Sequence, residues 1–216
     1  MGDEGTNPLP LRRRMPFTVT GGGGFAIRLR VVTSEDRARI QRAYSLLSDR
    51  SRLNRFWSTA KEMNEELAGR LARTNEADHL SWIALDPEDD DFPGFGAASL
   101  WIDRAHPTQA EVSLTIADAW QHRGLGTLLF SLLWFEGWEL GVRRVFAFGR
   151  AGNHEMHAWW TQMGGQVAVV GTGLEMTLDL MPPADLVHQA GFDLHATNSM
   201  VDLAGWMQQW LDATSW

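Results

Sequence analysis

The chain has 216 residues, 44% hydrophobic and 21% charged, with a formal net charge of −8. That length fits one domain with attachments and is ample for a core. Cysteine is absent, which excludes disulfides, thiolate metal sites and a cysteine nucleophile, and the acidic balance argues against general nucleic-acid binding.

Residues 1–25 hold Pro8, Pro10, the cluster Arg12-Arg13-Arg14 and the run Gly21 to Gly24, and read as a mobile tail and linker. The charge there stands where a signal peptide needs its apolar segment, so the expected compartment is the cytoplasm. No apolar run reaches 18 residues, so no membrane span is expected. Ala26 to Thr33 alternates in the manner of a first strand. Ser34 can cap a helix running to about Ser48, with Asp36 near its positive end. A second helix is expected over Ser58 to Arg73.

Ser81 to Leu85 and Gly96 to Ile102 read as two strands around an acidic turn, Asp86 to Gly94. That turn is either a solvated hairpin tip or a guide for a basic substrate. Ala110 to Ala117 is strand-like, Gly126 to Leu140 is a strongly apolar helix, and Val142 to Phe148 is a further strand. Leu174 to Leu180 looks like the last strand, stopped by Met181-Pro182-Pro183. In residues 183–216, Val201, Leu203, Ala204, Met207, Trp210 and Leu211 follow helical spacing, which predicts an amphipathic helix over about Met200 to Thr214.

The most informative run is Gln121-His122-Arg123-Gly124-Leu125-Gly126-Thr127, between a strand and an apolar helix. A glycine-rich turn at a helix N-terminus presents backbone N–H groups without intrahelical partners, in the positive field of the helix dipole. Such a turn suits a pyrophosphate. Gly124 and Gly126, lacking Cβ atoms, let a phosphate approach closely. The spacing matches neither the dinucleotide fingerprint nor a P-loop.

Strand, Q-x-x-G-x-G turn, helix, strand, then Asn153 opening another helix resembles the GNAT superfamily of N-acetyltransferases. Within it the chain is similar to bacterial protein lysine acetyltransferases of the Pat type. Three stretches carry that closer likeness: Leu47-Ser48-Asp49-Arg50-Ser51-Arg52-Leu53-Asn54-Arg55-Phe56-Trp57, Ala110-Glu111-Val112 and Asn153-His154-Glu155-Met156. The resemblance covers residues 26–182. It implies an α/β GNAT fold: a mixed, mostly antiparallel sheet flanked by helices, opened into a V between the fourth and fifth strands for acetyl-CoA. The organisation expected is a tail over 1–25, the acetyltransferase domain over 26–182 and a helical extension over 183–216. No span remains for the nucleotide-sensing domain that some Pat-type proteins carry.

The implied reaction moves acetyl from acetyl-CoA to a primary amine, with a protein lysine favoured as acceptor. A small amine such as a polyamine, amino acid or aminoglycoside is the alternative. A non-catalytic acyl-CoA-binding module is a third reading. Acetyl transfer needs a base for the amine, a polarised carbonyl and a stabilised thiolate. Glu111 heads an apolar strand beside the glycine turn and is the candidate base; it can equally be a solvent-facing strand-end carboxylate. In a regular strand Glu111, Ser113 and Thr115 share one face, unless a bulge intervenes. The resemblance makes Leu114 and Ile116 pantetheine contacts through their backbone, the turn 121–127 the pyrophosphate cradle, and Asn153 a hydrogen-bond partner of the pantetheine arm. Asn153 can also serve simply as a helix cap.

One departure stands out. Many GNAT members carry a tyrosine acid seven residues after this Asn, and here the position is Trp160, whose indole N–H has no useful acidity. The sole tyrosine, Tyr44, reads as packing. His157 can supply the proton or be an exposed helix histidine. His154 and His157 lack further ligands nearby, so no metal site is expected.

Overall fold

The computed structural model describes residues 16–73, 78–192 and 197–214. Its strands are β1 (Phe17–Thr20), β2 (Ala26–Val31), β3 (His79–Leu85), β4 (Gly96–Ile102), β5 (Gln109–Ile116), β6 (Arg144–Arg150), β7 (Gln166–Val170) and β8 (Gly173–Asp179). Its helices are α1 (Arg37–Ser45), α2 (Asp49–Phe56), α3 (Glu65–Ala72), α4 (Leu125–Glu139), α5 (His154–Gln162), α6 (Pro183–Phe192) and α7 (Asn198–Thr214). One sheet runs in the order β1-β2-β3-β4-β5-β6-β8-β7. Every neighbouring pair is antiparallel except β5–β6, which is parallel.

The parallel pair is short. Only Gln109, Ala110 and Glu111 find register partners on β6, namely Arg144, Val145 and Phe146. Beyond Glu111 the strands part: β6 continues along β8, and β5 continues along β4 alone. Residues 112–116 therefore present a backbone edge without a strand partner. Exposed N–H and C=O groups in that position want another hydrogen-bonding partner.

Helix α4 fills one face of the sheet. Twelve of its residues are buried, including Leu128, Leu129, Phe130, Leu132 and Leu133, so it is apolar all round rather than amphipathic. It meets Ala98, Leu100, Ala110 and Val112 of β4 and β5 in the main core. The opposite face of β2–β5 carries a smaller core under α1 to α3, built on Tyr44, Leu47, Met63 and Ala68.

Several boundaries differ from expectation. The supposed tail reaches into the sheet: β1 pairs with β2 from Phe17↔Leu29 to Thr20↔Ala26, and Phe17 packs edge-on against Trp82 and Trp210. Phe17 and Val19 supply the alternation that a four-residue edge strand needs, while residues 1–15, with the arginine cluster, lie outside the described residues. The helix expected over 34–48 is a 3-10 turn at Ser34–Asp36 followed by α1, and Ser48 is instead the cap of α2, its hydroxyl accepting from the Ser51 N–H. The helix expected from Ser58 starts only at α3, because the Asn64 side chain accepts from the Leu67 N–H at 2.8 Å and fixes the N-terminus there. Strand β7 was not expected at all.

Residues 183–214 add two helices rather than one. Helix α7 buries Leu203, Ala204, Met207 and Trp210 against α4 and α6. Val201, expected on the buried stripe, is 52% exposed, because it sits two residues and so about 200° around the helix from Leu203. The Trp210 Nε1 donates to Ser131 Oγ at 2.8 Å, and Ser131 in turn donates to the Leu128 carbonyl. The extension thus completes the core on the α4 side of the sheet.

Candidate active site

The β4–β5 register runs one to one from Gly96↔Ile116 to Ile102↔Ala110, with no bulge. Parity along β5 is therefore regular. Ala110 and Val112 point into the α4 core, while Glu111, Ser113 and Thr115 face α1 to α3. Glu111 is partly exposed and stands at the last paired residue before β5 and β6 separate.

At its other end β5 leads through a 3-10 turn, Asp118–Trp120, into the glycine turn and α4. His122 (φ 59°) and Gly124 (φ 79°) both take the left-handed conformation, which swings the chain so that Gly124 becomes the N-cap of α4. No side chain caps that helix. The first N–H groups of the helix have no intrahelical partner. A Cβ built on Gly124 or Gly126 meets no atom within 4 Å, so the space above the turn is open. An unsatisfied helix N-terminus under open space, continuous with an unpaired strand edge, fits a pyrophosphate followed by an amide-bearing arm.

Individual side chains in the turn are more constrained than their sequence suggests. The Gln121 amide donates to Ser51 Oγ (3.2 Å) and to the Ile116 carbonyl (3.1 Å), so it braces the turn. Leu125 is buried in the core, and buried Thr127 accepts from Trp159 Nε1 at 3.2 Å. These two can serve a ligand only through backbone N–H groups. Arg123 lies over the Trp120 ring at 4.7 Å, and His122 Nε2 is 3.9 Å from Glu155. Leu114 and Ile116 pack on the main core, leaving their backbone on the open edge apart from the Ile116 carbonyl, which Gln121 holds. Asn153 caps α5, its side-chain oxygen accepting from the Met156 N–H at 3.3 Å, and its amide group remains available for a second bond. Trp160 is fully buried and donates to the Thr177 carbonyl, so it is core. His157 is exposed on α5. Among the described residues no group of three or more His, Asp or Glu could hold a metal ion.

Helix α2 ties the two ends of the site together. Asp118 accepts from the Ser48 N–H (2.9 Å), the Ser48 hydroxyl (2.6 Å) and the Ser51 hydroxyl (2.7 Å). Burial opposes ionisation of Asp118, but these hydrogen bonds outweigh it and hold its carboxyl below the usual range. Further along, the Arg55 Nη2 donates to Ser113 Oγ at 2.7 Å, directly beside Glu111 on the same face. Burial pushes the Arg55 guanidinium down, the negative Glu111 pushes it back up, and Arg70 adds to the lowering. Its buried Nε has no partner among the described residues. In the sequence, residues 47–57 carry only a family likeness, and nothing in it assigns Arg55 a role. The signal for it is an arginine on the inward stripe of a capped helix, legible only once Ser48 is recognised as the cap of α2.

Comparison with known proteins agrees with this geometry. The model of the Acetyltransferase (GNAT) domain matches residues 26–166. The chain belongs to the GNAT acetyltransferase family. The GNAT domain uses acetyl-CoA as its cosubstrate. Among its relatives, Acetyltransferase Pat of Mycolicibacterium smegmatis is 28% identical over 135 residues, 62% of this chain and 40% of that one. Acetyltransferase PA5475 of Pseudomonas aeruginosa is 28% identical over 133 residues, 62% of this chain and 71% of that one. The chain thus spans less than half the length of the Pat relative. In three dimensions the GNAT fold is shared with the GNAT domain of S. lividans PAT, at TM-score 0.69 and 21% identity, covering 76% of this chain and 97% of that domain. No helix among the described residues is long and apolar enough to cross a membrane.

Proposed function

We propose that this chain transfers acetyl from acetyl-CoA to a primary amine, with a protein lysine as acceptor and Glu111 as general base. The observation that carries the reading is the position of Glu111: it is the last paired residue before β5 and β6 part, on the face opposite the α4 core. In this scheme the pyrophosphate rests on the N–H groups at the start of α4. The pantetheine amides take the place of a strand along residues 112–116, with Asn153 hydrogen-bonding the arm. Glu111 accepts a proton from the acceptor ammonium. The freed nitrogen lone pair attacks the thioester carbonyl, the C–N bond forms, the C–S bond breaks, and the proton still surplus on nitrogen goes to the departing thiolate, so that amide and CoA thiol are the products. Half-buried Arg55 adds positive charge beside the tetrahedral oxyanion.

The lysine acceptor rests on the Pat-type likeness in residues 47–57, 110–112 and 153–156. A small amine is the second reading, and one observation favours it: an apolar cavity of about 110 Å³ lies between α1–α3 and the sheet, with Arg55 and Ser113 among its lining residues. Incubating the protein with acetyl-CoA and following thiol release separates the two. Release with a lysine peptide supports the first reading, and release only with a polyamine, amino acid or aminoglycoside supports the second. Acetyl-CoA binding without release on any amine overturns both.

The cradle has its own test. Gly124→Ala should weaken acetyl-CoA binding about tenfold, roughly 1.4 kcal/mol, by calorimetry. The new methyl meets no protein atom within 4 Å. Its left-handed φ should cost roughly 1–2 kcal/mol of stability, read separately by thermal unfolding. Unchanged affinity in the folded variant would remove the pyrophosphate from this turn.

A further inference from the structure

Two large aromatic rings stand in solvent, one on β6 and one at the end of α2. Phe148 on β6 is 55% exposed and Trp57 is 52% exposed. Trp57 also sits in the left-handed conformation (φ 55°, ψ 26°) at the C-terminus of α2. A bulky residue in that region carries strain, and strain together with exposure points to use of the ring.

The register shows what the rings flank. Glu111 is paired with Phe146, so both lie on one face of the sheet, and Phe148 follows two residues later on that face. Phe146 and Phe148 meet edge to face at 5.7 Å between centroids. Across the β6–β8 ladder Phe148 is paired with Glu175 and Arg150 with Gly173. The Trp57 ring reaches over from α2 to Gly173, where a built Cβ would be 3.8 Å from its tip. Glu175 is exposed and has no ion-pair partner among the described residues. The face therefore reads, from inside to outside, as a carboxylate, two phenyl rings with a second carboxylate across the ladder from the outer ring, and the tip of an indole over Gly173. Arg150 at the Gly173 end, Arg144 in its ion pair with Asp179, and Arg55 beside Glu111 are cations on the same face.

We propose that Trp57, Phe146 and Phe148 form an aromatic groove that takes the aliphatic stem of a cationic acceptor and delivers its ammonium to Glu111. Two residues of strand span roughly 7 Å, the reach of a four-methylene stem with its charge at the tip. Aromatic faces attract an ammonium as it passes, and the apolar stem covers ring surface that is otherwise in water. The acceptor class is thus a long-stem primary ammonium, of which a lysine side chain is the protein form. This rests on the acetyltransferase reading above.

Two measurements keep the groove and that reading apart. Binding of an acetyl-capped, amidated Gly-Lys-Gly peptide to the CoA-saturated protein is measured by calorimetry for wild type, Trp57→Ala, Trp57→Phe and Phe148→Ala. A norleucine peptide of the same stem serves as the uncharged control. Both alanine variants should bind the lysine peptide about tenfold more weakly. Trp57→Phe should recover most of the loss, and the norleucine peptide should bind worse than lysine in wild type. Equal affinity in wild type and a folded alanine variant, or no binding of the lysine peptide to wild type, overturns the groove. Transfer to the same peptide is followed by thiol release. Binding that responds to the variants without any transfer sinks the acetyltransferase reading and leaves the groove standing. Transfer with unresponsive binding does the reverse.

Discussion

Glu111→Gln is expected to lower turnover by about 10²–10⁴ while leaving acetyl-CoA affinity nearly intact, the range for losing a general base. That is about 3–5 kcal/mol of transition-state stabilisation. Glutamine keeps the size and most of the hydrogen bonding of the carboxylate but cannot take a proton at neutral pH. The geometry makes the split between rate and affinity sharp. Glu111 lies at the narrow end of the opening, whereas the glycine turn that receives the pyrophosphate lies past the other end of β5. The side chain belongs to the face under α1 to α3, where Arg55 is held to Ser113. A variant that keeps most of its rate would assign Glu111 a structural part in holding Arg55 and would move the base elsewhere. Rate and affinity falling together would indicate that the variant disturbs the cofactor edge.

The largest expected effect on stability is at the other side of the sheet. Trp210→Ala should cost about 3–5 kcal/mol, the range for emptying a buried large aromatic site. Domain stabilities are typically about 5–15 kcal/mol, so this is a large share. The melting temperature should fall by roughly 10 °C. Trp210 is 2% exposed, stacks with Trp206, meets Phe17 edge-on and donates to Ser131, itself fully buried in α4. One side chain thus joins the last helix, the first strand and the central helix. Trp210→Phe should retain much of the packing and lose the hydrogen bond, at an intermediate cost of about 1–2 kcal/mol. Urea unfolding of both variants checks the ordering. A loss below about 1 kcal/mol for the alanine variant would show α7 to be an appendage rather than core.

Local features were legible because they depend on neighbours in sequence. The turn 121–127 announces itself by glycines at a helix start, and in the structure Gly124 is left-handed at the N-cap of α4. The alternation of Ala26 to Thr33 and the helical spacing of Leu203, Met207 and Trp210 are local periodicities, and β2 and α7 formed where the patterns lie. The tertiary structure decided what depends on long-range pairing. Residues 17–20 are too short to declare themselves and become a strand only because β2 offers an edge and Trp82 and Trp210 a surface for Phe17. Helix α2 forms between a Ser48 cap and Trp57, yet its importance comes from Asp118, 70 residues away, and from Ser113, 58 residues from Arg55. The parting of β5 and β6, which the family resemblance implied, has no signal in local periodicity, since β6 continues along β8 while β5 continues along β4. The chemistry of single groups was therefore written in the sequence, while the shape of the opening and the company Glu111 keeps there arose only when the strands paired.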